Sequence, residues 1–278
     1  MSIADQYLKQ DIKNILENGY KDINPRPKYE DGTPAYTISV NHIMRKYDLS
    51  KGEFPLSTLR PQAWKTGIRE IFTIYTRSTN KLSEMAAEGV NWWTPWDIGD
   101  GTIGQRYGAT VKRYDLLNEL IADIKKDPYG RRKIMSLWQN ADLKETKGLA
   151  PCAFCTIWNV RGNYLDMCMI QRSGDMLTAS GAGGINEIQY AVLLMMVARI
   201  TGYEPGVFTH FVANEQIYDR HIDNAHEMLN RTASDKQPKI ILSDRITKDS
   251  RIEDITIDDF AVVDYEPVKP QLTFELGI

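Results

Sequence analysis

An α+β fold is predicted, a single domain spanning residues 1–278 with a mixed β-sheet packed by helices, and three observations predict it. Helical-period apolar patterns occupy the N-terminal half, whereas β-branched and aromatic runs dominate from 152 onward. One long segment, "INEIQYAVLLMMVARITG", is apolar almost all round, as a helix enclosed by other layers must be. No repeat, low-complexity tract or linker-like change of composition divides the chain.

The elements follow in order. Tyr7, Ile12, Ile15 and Leu16 recur at helical spacing before Gly19, which predicts an amphipathic opening helix stopped there. "NPRPKYEDGTPAYTISV" mixes proline, glycine and charge ahead of a short β-like run and reads as a loop feeding a strand. "AWKTGIREIFTIY", from residue 63, is apolar around most of its circumference, so the helix it predicts is buried on several sides. Glu70 lies within it, and a carboxylate there is costly without partners. "YDLLNELIADIKKD", 114–127, has helical period and stops at Pro128, after which "YGRRKIMSLW" reads as a turn into a strand. "CAFCTIWNV" and "NYLDMCMIQRS" are strands joined by an "RGN" hairpin turn, "VFTHFVANEQIY" is a further strand, and Gly202 caps the central buried helix.

The 278 residues are 42% hydrophobic and 26% charged, an ordinary globular composition. A net charge of −3 and a pI near 5.9 present no broad electropositive surface, so neither an anionic membrane nor nucleic acid is the expected partner, and RNA binding is not indicated. The start "MSIADQYLKQDIKNIL" lacks a signal-peptide pattern, no apolar run has the length to cross a bilayer, and the three cysteines are an odd number. The expected location is a reducing cytoplasm.

Two of those cysteines stand in "LAPCAFCTIW" at C-x-x-C spacing. In an extended segment, positions three apart point to opposite faces, so Cys152 and Cys155 diverge. Zinc requires further ligands at matching spacing, yet only Cys168 and four scattered histidines remain; no metal is expected. A redox C-x-x-C opens a helix, and a β-like run follows this one. Two readings stay open, buried inert thiols or one nucleophile. The company of Cys152 favours the second: Arg172 and Ser173 in "QRSGD" fall on the neighbouring predicted strand, and Arg131 with Arg132 follow the "DPYG" turn. Such cations would lower a thiol pKa from about 8.5 towards neutrality, and the same groups suit a phosphate.

In this order, "RPKYEDGT", "PLSTLRP", "REIFTIY", "NWWTPWD", "GTIGQRYG", "DPYGRRKIMSLW", "LAPCAF", "QRSGDML", "NEIQYA", "IYDRHID" and "YEPVKPQLTFELGI" resemble the folate-dependent thymidylate synthase family over nearly the whole chain. The resemblance implies reductive methylation of dUMP to dTMP with 5,10-methylenetetrahydrofolate as co-substrate, no metal, and a homodimer packed through its sheets. It makes Cys152 the nucleophile, Glu70 the catalytic carboxylate, Tyr107 the tyrosine near the base and Asn186 the reader of the uracil edge. Gln171, Arg172, Ser173, Asp175, Gln216 and Tyr218 join the nucleotide site, with Arg26, preferred to Lys28, as the phosphate-loop arginine. Arg131 and Arg132 would reach the other subunit's phosphate, while Trp93, Trp96, Asp175 and the terminal Ile278 serve the folate side.

The chain departs from the family in three places. Ala153 replaces the histidine after the nucleophile, Gln216 replaces the histidine of "H-x-Y", and the glycine-rich "MLTASGAGGI" replaces a shorter loop with an aromatic wall. Ordering that stretch carries an entropic cost, and the folate-facing surface is expected to be built differently there. The runner-up activities are a pyrimidine-nucleotide hydroxymethylase, in which water quenches the methylene intermediate, and a noncatalytic nucleotide- or RNA-binding relative; the presence of Cys152 and Glu70 speaks against the latter.

Overall fold

The computed structural model describes residues 1–278. Helix α1 (Ile3–Asn18) opens with a capping box: the Ser2 hydroxyl accepts from the Asp5 amide at 3.1 Å, and the Asp5 carboxylate accepts from the Ser2 amide at 3.3 Å. It ends at Gly19, where a Cβ would stand 2.4 Å from Ile38, so close approach and not a left-handed cap demands glycine. The short β1 (Tyr20–Lys21) pairs with β2 (Thr37–Asp48). Next come α2 (Trp64–Ile71), prolonged by a π turn over Phe72–Thr76, then α3 (Leu82–Ala87) and α4 (Gly108–Arg113). Helix α5 (Leu116–Lys126) stops before Pro128, as its pattern predicts, and leads to β3 (Ile134–Ser136) and α6 (Asn140–Glu145).

Strands β4 (Ala153–Arg161) and β5 (Tyr164–Gln171) form the predicted hairpin around Gly162, whose φ of 60° favours glycine. After β6 (Gly174–Asp175) and a π turn over Met176–Ser180, the central helix α7 (Ile185–Thr201) ends at left-handed Gly202. Then β7 (Glu204–Tyr218) and α8 (Ile222–Asn230) follow, and β8 (Lys239–Leu242) pairs with β9 (Phe260–Val263) as a separate small sheet.

The main sheet has the order β1-β2-β7-β5-β4-β3, with β6 beside β7. It is mixed because β5 and β7 are parallel, joined by a crossover that contains α7. That crossover lays α7 between the sheet and α2, which is why its residues are apolar on every side. It also brings the first turn of α7, with Asn186 and Gln189, to the end of the sheet where Cys152 enters β4.

The opposite face of the sheet carries two cross-strand rows. Register aligns Met44, Phe211, Ile170, Cys155 and Ser136 in one and Lys46, Thr209, Cys168, Ile157 and Ile134 in the next. No helix of the chain is long and apolar enough to cross a membrane.

Buried under the helices lies a charge cluster of which the sequence reading contains no hint. Arg45, 1% exposed, holds Asp11 at 2.6 Å, Glu215 at 2.7 Å and Glu187 at 3.3 Å. Its Nη1 also donates to Ser180 O at 3.0 Å, so α1, β2, β7, α7 and the glycine-rich stretch meet on one guanidinium. Gly183 donates its N–H to Glu187 at 2.7 Å, and with φ 67° and backbone of Ser57 within 2.2 Å of any Cβ it can only be glycine. The stretch is therefore buried packing, and its glycines are used for close approach.

Burial pushes Glu215 up to about 7 against the opposing charge of Arg45. A carboxyl whose folded pKa lies above its unfolded value takes up a proton on folding, so its contribution to stability falls as pH rises from about 4.5 to about 7 and is flat beyond. Glu215→Gln is expected to remove that slope. Unfolding midpoints measured across the window check it, and an unaltered slope contradicts it.

Candidate active site

Cys152 sits just before β4, where Arg172 at the end of β5 clamps the loop that carries it. The Arg172 amide donates to Cys152 O at 2.9 Å, Nε to Pro151 O at 3.0 Å and Nη2 to Ala150 O at 2.8 Å, with Cys152 Sγ 3.4 Å from Nη2. From the other side the Cys152 N–H donates to Tyr107 Oη at 3.3 Å. Tyr107 has φ 48°, a strained value for a tyrosine, held by burial of its ring against Trp93 at 4.9 Å. All three cysteines are free thiols.

The expectation that clustered guanidiniums lower the Cys152 pKa is corrected. Burial pushes the thiol up, and the Arg172 charge offsets only part of that. The reason is position: Arg131 and Arg132 are exposed just before β3, where Lys133 O accepts from Trp158 N–H, six residues along β4 from Cys152. That is about 20 Å of extended strand, beyond the reach of either side chain within one chain.

Glu70 is 7% exposed and has its partners. Trp92 Nε1 donates to Oε1 at 3.0 Å, Trp93 Nε1 donates to the same oxygen, and Gln189 Nε2 donates to Oε2. Burial nevertheless raises the Glu70 pKa despite these three donors. Asn186 Nδ2 donates to Gln189 Oε1 at 3.2 Å, and Gln171 Nε2 donates to Asn186 Oδ1 at 3.2 Å and to Ser173 O at 3.0 Å. A chain of amides thus runs from the carboxylate to the strand that presents Arg172.

β6 places Asp175 opposite Gln216. Burial raises the Asp175 pKa, and its Oδ1 is a buried acceptor without a partner. Tyr218, pushed up to about 12 by burial and by Asp175, stays a phenol. Trp96 meets Trp93 edge-on at 5.5 Å and is half-buried. Arg26 is exposed, and Lys28 exchanges two backbone hydrogen bonds with Ile278, at 2.8 and 2.9 Å. His221 Nε2 holds the tail through Glu275 O at 2.8 Å, and Gly277 passes so close that a Cβ would meet the Tyr218 ring at 2.6 Å. Ala153 is buried, with its carbonyl accepting from Tyr190 Oη at 3.3 Å.

The sequence reading did not identify Trp92 or Gln189 at Glu70. Each had a signal: Trp92 adjoins Trp93, and Gln189 lies one helical turn after Asn186.

Together these features have the make-up of an enzyme site that works through a covalent nucleophile: a thiol beside a guanidinium, and a buried acid from which directed amides lead to the Ser173 carbonyl. The thymidylate synthase sequence model matches residues 5–278. The chain is 48% identical over 284 residues to the thymidylate synthase of Lactococcus lactis subsp. cremoris and 44% identical to that of Streptococcus pneumoniae, each alignment covering 100% of both chains. Among solved structures, the thermostable thymidylate synthase A from Bacillus subtilis matches with a TM-score of 0.90 at 32% identity, again over 100% of both chains. The chain belongs to the thymidylate synthase family, enzymes that transfer a methyl group to dUMP.

Proposed function

We propose that the protein converts dUMP to dTMP in two linked operations, covalent activation of the base by Cys152 and reductive one-carbon transfer from 5,10-methylenetetrahydrofolate. The observation that carries this reading is Cys152 Sγ 3.4 Å from the Arg172 guanidinium. Adding the thiolate to uracil carbon six moves an electron pair to carbon five and the carbonyl at carbon four, so a poor nucleophile becomes an enolate. Arg172 Nη1, which has no protein partner, and Ser173 are placed for the phosphate, with Arg26 at the rim. The phosphate site is completed by Arg131 and Arg132 of a second copy, because neither can reach it within its own chain.

Asn186 keeps one amide hydrogen and one lone pair free of the contacts above, enough to donate to the carbonyl and accept from the ring N–H of uracil. Glu70, its pKa raised by burial, is the carboxyl group placed to pass a proton through water to that carbonyl. Tyr107 remains protonated and can relay the carbon-five proton. Gln216 and Tyr218 face the sugar.

The unpartnered Asp175 Oδ1 suits a ring N–H of a reduced pterin, and the half-buried Trp96 edge offers it an apolar wall. When bound, methylenetetrahydrofolate supplies the one-carbon unit and the hydride, and leaves as dihydrofolate. Removing Ile278 deletes both backbone bonds that dock the tail, so turnover is expected to fall about 10²-fold with dUMP affinity little changed. Steady-state kinetics beside a dUMP titration check this, and an equal loss of both would assign the tail to nucleotide binding.

The two rows on the outer sheet face, apolar apart from Lys46, Thr209 and Ser136, support a homodimer packed sheet to sheet, with Met44 57% and Ile134 54% exposed in the single chain. Incubation with dUMP and methylenetetrahydrofolate tests the function: dTMP with equimolar dihydrofolate is expected. Hydroxymethyl-dUMP with tetrahydrofolate would replace this reading with a hydroxymethylase.

A further inference from the structure

We propose that His210 is a positioning residue for base recognition: its Nε2–H, donated to Gln171 Oε1, sets which way round the Gln171 and Asn186 amides stand and so which edge of a pyrimidine they accept. The inference rests on the assignment of Asn186 to the base.

The argument is a count of donors and acceptors. His210 lies on the inner face of β7, fully buried, with Nε2 3.1 Å from Gln171 Oε1 and Nδ1 2.9 Å from Glu187 Oε1. Gln171 cannot be turned round, because its other amide atom faces Ser173 O at 3.0 Å, and a carbonyl only accepts. Nε2 of Gln171 is therefore the donor there, and Oε1 must face His210. An oxygen at that distance requires a hydrogen on His210 Nε2.

The far end of the chain demands the same polarity. The ionised Glu70 carboxylate only accepts, so Gln189 presents Nε2 to it and Oε1 to Asn186. Asn186 then turns Nδ2 to Gln189 and Oδ1 to Gln171, which spends its two hydrogens on Asn186 Oδ1 and Ser173 O. Both ends agree on one orientation, with each Asn186 atom held from a different side. Without the His210 donor, Gln171 Oε1 is a buried acceptor with no partner, and the Gln171 amide loses the contact that opposes its rotation.

The proton on Nε2 has a source of stability. Burial draws the His210 pKa below its usual value, with the hydrogen bond and charge of Glu187 opposing that only in part. Glu187 is kept ionised by donors on both oxygens: Tyr47 Oη at 2.6 Å and Gly183 N–H at 2.7 Å on Oε2, and Arg45 at 3.3 Å on Oε1. Gln171 Oε1 fixes a hydrogen on Nε2, whatever Nδ1 shares with Glu187.

The experiment compares dUMP and dCMP binding in His210→Leu and His210→Gln. Leucine removes the donor, and the ratio of dUMP to dCMP affinity is expected to fall about tenfold. Glutamine restores an N–H of similar reach and should return the ratio to within about twofold. A purely structural role would weaken both nucleotides equally or only lower the unfolding midpoint, and an unchanged ratio in His210→Leu overturns the proposal. So does a glutamine variant no better than leucine. If the leucine variant does not fold, ¹⁵N spectra of wild-type imidazoles decide: a ring with NOEs to Phe208 and Nε2 protonated at neutral pH is expected, and a bare Nε2 overturns it. Asn186→Asp separates the two readings. If it leaves base preference unchanged, the assignment of Asn186 fails, while the proton count on His210 still tests the contact with Gln171.

Discussion

Cys152→Ala is expected to lower turnover of dUMP by about 10⁴-fold or more while leaving dUMP binding within a few-fold of wild type. The two effects should separate, because the residues proposed to hold the nucleotide are not the one proposed to activate it. Arg172 keeps its grip on the loop through Pro151 O, Ala150 O and its own amide to Cys152 O, none of which involves the thiol. Without sulfur no other group within the site can add to carbon six, since Tyr107, held well above its usual pKa by burial, remains a phenol. Exchange of the carbon-five hydrogen measures the loss directly, and calorimetric titration with dUMP measures binding. Residual exchange above about 1% of wild type would mean that another nucleophile acts. A matching loss of affinity would mean that the cysteine holds the loop, not the chemistry.

Arg45→Met is expected to be the most destabilising single change, by about 3–5 kcal/mol. Methionine fills similar volume but leaves Asp11, Glu187 and Glu215 facing one another without the guanidinium, and removes the donor to Ser180 O. At about 2–4 °C per kcal/mol for a chain of this size, the unfolding midpoint should fall on the order of 10 °C. The loss should shrink as pH falls through about 7, because Glu215 then carries its proton and one of the uncompensated charges disappears. A midpoint within about 2 °C of wild type would show that the carboxylates find other partners.

Much of the fold is legible in the chain as written. The α5 pattern ending at Pro128, the hairpin at Gly162 and the apolar α7 capped by Gly202 all stand where the pattern puts them. A twofold or 3.6-fold period and a turn residue are local properties, and the backbone obeys them locally. The family was legible too, through the ordered motifs that include "LAPCAF". Less legible were Trp92 and Gln189 at Glu70, and the glycine-rich stretch, read as costly to order but found clamped by Ser180 and Gly183.

By itself the sequence determined the order of helices and strands and the family, and it singled out Cys152 as the candidate nucleophile. Only the tertiary structure decided that the thiol is raised and not lowered, that Glu70 meets two indoles and an amide, and that Arg45, Glu187, His210 and Glu215 share one buried cluster. Those facts depend on the β2–β7 register and on where the β5–β7 crossover lays α7, contacts between segments that lie far apart in the chain. Spacing along a chain reports which way a side chain points; desolvation and partner distance, which set a pKa or an amide's orientation, exist only once distant segments have packed.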